Sequence, residues 1–348
     1  MKTALVTTTI NVPTVLTLLS RQHMRYGRPE NEVAFFVAGD LKTPPEAEVF
    51  CKTIPNCFYL SPKEQDEWQC SALISWNCIQ RRNIAILEAL KWGADIIVTI
   101  DDDNIPFARG GYLDTFANIL TTPFDGLRVT GNIAHPSVPP WFDVGVLLDP
   151  VASHRGFPHD IRCEPIFKPV VNARIGVAAG ICLGDPDISA VTRIARAPIV
   201  HRVSELLRGG IVVDPAVHTV WNTQNTALIR ELAPAMLLPP QWSRYDDIWA
   251  SLVCQWVMRP FGFCVHYGAP MVWQQRNEHD LVKDLQAELF GMQHILDFSN
   301  WLDAQPRKNT VLDSVASLYA GMSELSWMPL GVSELAQAWV DDCDKAMA

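Results

Sequence analysis

Three consecutive carboxylates, Asp101-Asp102-Asp103, follow directly on the apolar run Asp95 to Ile100. A buried strand that ends in acids delivers them to the carboxyl edge of a sheet, where α/β folds bind ligands. If strand geometry continues for three residues, side chains alternate, so Asp101 and Asp103 share one side and Asp102 takes the other. Two hard oxygen ligands on one side suit Mg²⁺ or Mn²⁺, which complete their shells with water and phosphate oxygens. An acidic surface loop is the alternative reading. A calcium loop is disfavoured, because Ile105 and Pro106 stand where an oxygen ligand and a glycine are needed.

A second cluster is cationic. Residues 151–210 carry a net +3, whereas the whole chain is −10. Arginines near a divalent-metal site suit a phosphorylated substrate, since the guanidinium fork pairs with phosphate oxygens; ordinary surface ion pairs are the other reading. A third cluster, Arg244-Tyr245-Asp246-Asp247-Ile248-Trp249, opens an apolar helical stretch. Its acids either complement a helix dipole or bind sugar hydroxyls with a tryptophan stacked on the ring. Five of the twelve tryptophans lie between 221 and 273, and most are expected in the core. Last, Arg276-Asn277-Glu278-His279-Asp280 precedes the C-terminal helices, and His279 is a candidate third metal ligand or a surface histidine.

Several chemistries lack their residues. Thr7-Thr8-Thr9 stands after the first strand where a dinucleotide fold has its glycine fingerprint, and there is no lysine-bearing phosphate loop, so flavin, nicotinamide and P-loop nucleotide sites are disfavoured. No helix carries paired metal-binding histidines, and no nucleophile-elbow serine is present.

The elements that position these residues read as alternating strands and helices. Thr3 to Thr9, Val33 to Ala38 and Asp95 to Ile100 are continuous apolar runs, as parallel strands covered on both faces are. Helical spacing spans 14–26 and 79–92, the latter stopped by Gly93. From about Leu127 to Val220 the chain is Gly- and Pro-rich with short apolar pieces, an α+β elaboration with long loops. Leu281, Leu285, Leu289, Met292, Leu296 and Leu302 then open a helical region, continued at 310–325 and 332–346.

The 348 residues, 48% apolar and 19% charged, suffice for a substantial core and exclude extended disorder. The acidic balance argues against a nucleic-acid surface. Nine cysteines without a C-x-x-C pair suggest neither zinc nor a disulfide framework and fit a reducing cytoplasm. The N-terminus lacks the uninterrupted apolar run of a signal peptide, and Arg259, Pro260 and His266 break the most apolar stretch, Ala250 to Trp273. A soluble cytoplasmic protein without a membrane span is expected.

Together the motifs resemble those of the reversibly glycosylated polypeptides, or UDP-arabinopyranose mutases, relatives of GT-A glycosyltransferases. IVTIDDD at Ile97 to Asp103 resembles their acidic triplet, and HRGFPHDIR at His154 to Arg162 their R-G-Y-P-x-x-x-R element. GICLGDPD at Gly180 to Asp187 is similar to G-x-x-L-x-x-P-D, and RYDDIW at Arg244 to Trp249 to R-Y-D-D-x-W. VAGDLKTP (Val37 to Pro44) and RNEHD (Arg276 to Asp280) look like a related glycosyltransferase-like group. Among bacterial relatives the sequence looks most like actinobacterial GDP-galactose or GDP-fucose mutases of antibiotic biosynthesis.

The resemblance implies a GT-A-like (Rossmann-like) α/β fold with a central mixed sheet, flanking helices and a helical C-terminal region. With the helical spacing from Asp280 onward, the chain divides into a catalytic nucleotide-sugar domain at 1–279 and the helical region at 280–348. It implies a pyranose/furanose interconversion of a GDP-sugar or UDP-sugar with Mn²⁺ or Mg²⁺ and without flavin or NAD; a glycosyltransferase is the alternative, and a homo-oligomer is possible. Asp101 and Asp103, with His279, would hold metal. Arg155 would match the family's glycosylated arginine, here preferred as a diphosphate clamp, with Arg162 its companion and Asp246 and Asp247 at the sugar. Candidate substrate or nucleotide contacts are Thr7, Thr8, Thr9, Asp40, Lys42, Arg82, Asp101, Asp102, Gly180, Asn225, Arg276 and Asn277. Where the family has His-Ser-Lys, this chain has Gln274-Gln275-Arg276, so that histidine's role falls to no residue unless His279 takes it.

Overall fold

The computed structural model describes residues 1–25, 29–107, 110–136, 139–276 and 279–348. Its first third alternates as expected: β1 (Thr3–Thr8), α1 (Val15–Arg25), β2 (Val33–Ala38), α2 (Pro45–Cys51), β3 (Cys57–Leu60), α3 (Arg82–Lys91) and β4 (Ile96–Ile100). All six residues of β2 and all five of β4 are buried, which their β-branched and aromatic side chains favour. β1 pairs in parallel with both β2 and β4. Gly93 ends α3 at φ +83°, its N–H donating to Leu90 O while the Ala94 N–H reaches back to Ala89 O, a Schellman closure.

The middle is more regular than its composition suggests. It holds β5 (Asn104–Pro106), α4 (Tyr112–Thr121), β6 (Phe124–Asn132), β7 (Leu148–Asp149), β8 (Pro165–Ala179), β9 (Cys182–Gly184), α5 (Ala190–Ala195), β10 (Arg202–Val203), α6 (Glu205–Gly209), β11 (Ile211–Val213) and β12 (Asn225–Ile229). After α7 (Asp246–Met258) come β13 (Phe263–Tyr267) and β14 (Val272–Gln274). Nine strands form one mixed sheet in the order β13-β11-β6-β8-β12-β4-β1-β2-β3, and β13 also pairs with β8. The 15-residue β8 makes this closure: its first half pairs antiparallel with β6, and its second half lies between β12 and β13. A small sheet, β5-β14-β9, sits beside the carboxyl end of β4.

Residues 280–348 form α8 (Leu281–Ala304), α9 (Val311–Gly321) and α10 (Val332–Met347). Asp280 caps α8, accepting from the N–H groups of Val282 and Lys283 at 3.1 and 3.2 Å. These helices share a hydrophobic core with α3 and α7: Phe298, Leu302, Leu335 and Trp339 are all buried in the cluster that holds Leu87, Trp249 and Val253. Each such side chain contributes about 1.5–3 kcal/mol. Trp339 also donates to Pro234 O at 2.8 Å, and buried Asp342 accepts from the N–H groups of Gln69 and Cys70. No described helix is long and apolar enough to cross a membrane.

Candidate active site

The acidic triplet does not continue as a strand. β4 stops at Ile100, the chain turns, and the Asn104 N–H donates to Asp101 O at 3.2 Å, so side-chain alternation ends before it could sort the three acids. Antiparallel β12 fixes the turn from one side, since the register Asn225 opposite Ile100 lets the Asp101 N–H donate to Gln224 O at 3.0 Å. From the other side, the Gln275 N–H donates to Asp103 O at 3.0 Å. Each acid then meets a different group. Asp101 is ion-paired with buried Arg82, which also donates to the Thr223 carbonyl and hydroxyl at 2.9 and 2.8 Å. Asp102 accepts from the Thr9 hydroxyl at 2.6 Å. Burial, reinforced by Asp101 and Asp102, pushes the Asp103 carboxyl up to about 7, and its Oδ1 is buried without a hydrogen-bond partner among the described residues.

The facing wall is the start of α7. Ser243, at φ +52°, bends the chain so that Arg244 and then Asp246 and Asp247 enter the cleft. Asp246 accepts from the Gln80 side chain at 2.7 Å; burial, then the Asp247 charge, pushes its carboxyl up to about 7. Arg155 arrives on a loop that seats against α7 through Gly156 at φ +89°, where an added Cβ would lie 2.2 Å from Ile248. Its Nε donates to Asp187 Oδ2 at 2.7 Å, and its Nη2 lies 2.5 Å from the same oxygen and 3.0 Å from Asp247 Oδ1. Asp187 also faces Arg244 Nη2 at 3.2 Å and Arg276 Nη1 at 3.6 Å. Burial opposes its ionisation, but Arg155, Arg244 and Arg276 together hold its carboxyl far below the usual range.

Helix α8 supports this wall. Buried Glu288 accepts from Arg244 Nε at 3.1 Å and from the Ala190 N–H at 2.9 Å, while Asp284 pairs with Arg244 at 3.4 Å and Arg276 at 3.8 Å. The walls enclose a cleft of about 600 Å³, within the range of small-molecule sites. Six carboxylates (Asp101, Asp102, Asp103, Asp187, Asp246, Asp247) and four arginines (Arg82, Arg155, Arg244, Arg276) line it, and each of those arginines already faces an acid.

Of the residues singled out from sequence, Thr8, Thr9, Arg82, Asp101, Asp102, Asp103, Arg155, Asp246, Asp247, Arg276 and His279 line this one cleft. Others sit elsewhere. Arg162 is 85% exposed and, among the described residues, faces only Glu164, at 3.5 Å, because the chain has turned out of the cleft by then. Lys42 is exposed, and Asp40 is a buried loop clasp that accepts from the N–H groups of Leu41, Asn77 and Cys78. Thr7 and Asn225 are interior and Gly180 is half-buried outside the cleft. Thr7 is buried in β1, the Gly180 N–H donates to Asn225 O at 2.7 Å, and the Asn225 side chain accepts from the Tyr112 hydroxyl. Asn277 lies outside the described residues. Trp249 stacks on Phe298 in the core rather than facing a sugar; Trp221, Trp242 and Trp256 are also buried, and only Trp273 of the five is partly exposed.

Sequence reasoning passed over Asp187, Arg244, Gln80 and Glu288 as site residues. Asp187 and Arg244 stand inside quoted motifs, whereas nothing local marks Gln80 or a buried Glu in α8.

A divalent cation fits in a limited way. Mg²⁺ and Mn²⁺ need only one or two carboxylates beside phosphate and water. The partnerless Asp103 Oδ1 and the neighbouring Asp101 carboxylate meet that requirement. His279 Nδ1 is turned to Asp284 at 3.2 Å, and among the described residues no group of three or more His, Cys, Asp or Glu could hold a metal ion.

No family model matches the chain. Over 171 residues it is 27% identical to a protein of Arabidopsis thaliana described as probable UDP-arabinopyranose mutase 4, a match covering 46% of this chain and 43% of that protein. The aligned part is thus less than half of that relative's length. Similar solved structures include glucosyl-3-phosphoglycerate synthase from Mycobacterium tuberculosis with phosphoglyceric acid, at TM-score 0.44 and 10% identity over 88% of this chain and 81% of that one. The mannosyltransferase PcManGT from Pyrobaculum calidifontis, in complex with GDP-Man and Mn²⁺, aligns at TM-score 0.40 and 12% identity over 99% and 86%.

Proposed function

We propose that the chain is a metal-dependent, flavin-independent nucleotide-sugar mutase that interconverts the pyranose and furanose forms of a GDP-hexose. The observation that carries this reading is Arg155, gripped by Asp187 and Asp247 in the same cleft that holds the acidic triplet. The four motifs and the partial identity with a probable arabinopyranose mutase support it. The choice of guanine, and of galactose or fucose, rests on sequence resemblance.

A bound Mg²⁺ or Mn²⁺, held by Asp103 and Asp101, would supply positive charge to the leaving diphosphate. The chain's own residues do the rest. The C1–O bond breaks with its electron pair on the diphosphate, which Arg155 stabilises. The C4 hydroxyl oxygen bonds to C1 while its proton passes to Asp246, whose carboxyl is poised near neutrality. The C1–O5 bond then opens, O5 recovers that proton, and the diphosphate rebonds C1, with no redox change. Arg155 acts as a clamp rather than a carrier. Burial opposes its charge, but Asp187 and Asp247 outweigh burial and raise its pKa above the ordinary value, and a charged guanidinium is a poor nucleophile.

The test is incubation with GDP- and UDP-hexoses plus Mn²⁺, followed by NMR and mass spectrometry. Furanose product without an acceptor is expected. Release of free nucleotide alone would favour a glycosyltransferase instead, and a sugar adduct on Arg155 would overturn the clamp.

A further inference from the structure

Three arginines converge on one carboxylate that the proposed chemistry does not use. Asp187 takes Arg155 at 2.5 and 2.7 Å, Arg244 at 3.2 Å and Arg276 at 3.6 Å, and all four residues line the cleft. Its backbone is fixed from both sides. Arg193 donates to Pro186 O at 2.6 Å and pairs with Asp185, while Ile188 bridges His154 and the Ser189 N–H donates to Ser153 O at 3.0 Å. The segments bearing Asp187 and Arg155 are therefore bonded to each other, and Asp187 cannot withdraw by a loop movement without breaking that bridge. With that backbone held, a change of partner comes from side-chain rotation of the arginines or of the Asp187 carboxylate.

We propose that Asp187 is an internal counter-anion that competes with the substrate's diphosphate for Arg155, Arg244 and Arg276, and so sets how quickly the nucleotide-bearing product leaves. The inference rests on the nucleotide-sugar reading of this cleft. A ligand phosphate entering among these arginines meets cations already neutralised. The net attraction is smaller than three free guanidinium groups would give, and the ligand is released as the arginines return to Asp187. An enzyme whose arginines were free would hold its product too tightly, because binding substrate and product strongly does not raise turnover.

The experiment compares the full chain with Asp187→Asn, which keeps the shape and an acceptor oxygen but removes the charge. Calorimetry with GDP and UDP in Mn²⁺ is expected to show about ten-fold or more tighter binding by the variant, with a slower dissociation rate by stopped flow and turnover reduced by a similar factor. Circular dichroism checks that the variant is folded. Equal or weaker binding by a folded variant overturns the proposal and assigns Asp187 a purely structural role. Failure of the wild-type chain to bind either nucleotide overturns the reading of the cleft itself, and the counter-anion with it. Should Asp187→Asn not fold, the wild-type protein supplies the answer through ¹⁵N NMR of the guanidinium groups, with Arg155 assigned from Arg155→Lys. Addition of GDP and Mg²⁺ is expected to shift the Arg155 Nε signal as its bond to Asp187 is exchanged; a bound complex with that signal unmoved overturns the proposal.

Discussion

Gln80 donates a 2.7 Å hydrogen bond to Asp246, tying the turn before α3 to the first turn of α7. The adjacent Asp247 is tied instead to Arg155 and to the Thr223 N–H, at 3.0 Å in each case. Two neighbouring acids therefore have unlike surroundings, one beside a neutral amide and one beside a cation. Such unlike pairs are how a site separates a proton carrier from a fixed charge.

The pH profile should follow Asp246. Its carboxyl is pushed up to about 7 by burial and by Asp247, so the proton-accepting form grows as pH rises through neutrality. kcat/KM is expected to climb about ten-fold per unit below that point and to level above it. Asp246→Asn should lose at least about a hundred-fold in rate and flatten the profile. A variant that keeps the wild-type inflection would remove Asp246 from this role.

Arg155 should matter for stability as well as turnover. Arg155→Met leaves buried Asp247 without its cation and takes from Asp187 the nearest of its three, a change expected to cost about 3–5 kcal/mol in urea unfolding. Arg155→Lys keeps a charge but lacks the fork that spans both acids, so it should recover part of the stability and little of the activity. Full activity in the lysine variant would show that the two-carboxylate grip is dispensable.

Asp103 and Arg162 should part company. Asp103→Asn is expected to weaken Mn²⁺-dependent nucleotide binding at least about ten-fold, since it alters the carboxylate whose Oδ1 is buried and partnerless. Arg162→Ala, at an exposed position paired with Glu164, should change binding and turnover by less than about two-fold. Titration with GDP, with and without chelator, reads both; a large loss in Arg162→Ala would place that guanidinium in the site after all.

Asp143 offers a stability test outside the cleft. It is buried, accepts from the Gly145 and His154 N–H groups at 2.7 and 3.2 Å, and is pushed up to about 7 by burial. The unfolded chain ionises this acid near its usual 3.8, whereas the folded chain holds the proton up to about 7. Between those values the native state binds more protons, so this group's contribution falls as pH rises across the window, by on the order of 4 kcal/mol. Asp143→Asn should therefore stabilise the protein at pH 8 relative to wild type and lose that advantage at pH 5. Urea midpoints at the two pH values decide it, and an advantage that grows toward acid would refute the assignment.

What sequence reveals here follows the range of each interaction. β1, β2, β4, α3 and α8–α10 are legible because burial on both faces or helical spacing is written into consecutive residues. The closure of β8 onto β13 is not, since it depends on one 15-residue strand changing partners midway. In the site, Asp101–Asp103, Arg155 and Asp246-Asp247 stand out as local clusters of chemistry. Gln80 and Glu288 do not, because each acts on a residue 166 or 44 positions away in the chain. Arg162 shows the opposite failure: seven residues after Arg155, it shares the motif but not the cleft.

The pairing of β13 with β8 has a further consequence for how molecules can meet. It joins β13, β11, β6 and β8 into a closed ring, so among the described strands the large sheet has one open edge, β3. That edge is four residues long and includes the exposed Phe58. Strand addition to the large sheet is thus restricted to a short template at a single border. Self-association by strand pairing on that sheet has only this border to use, at the far side of β2 from the carboxyl ends of β1 and β4 that flank the cleft.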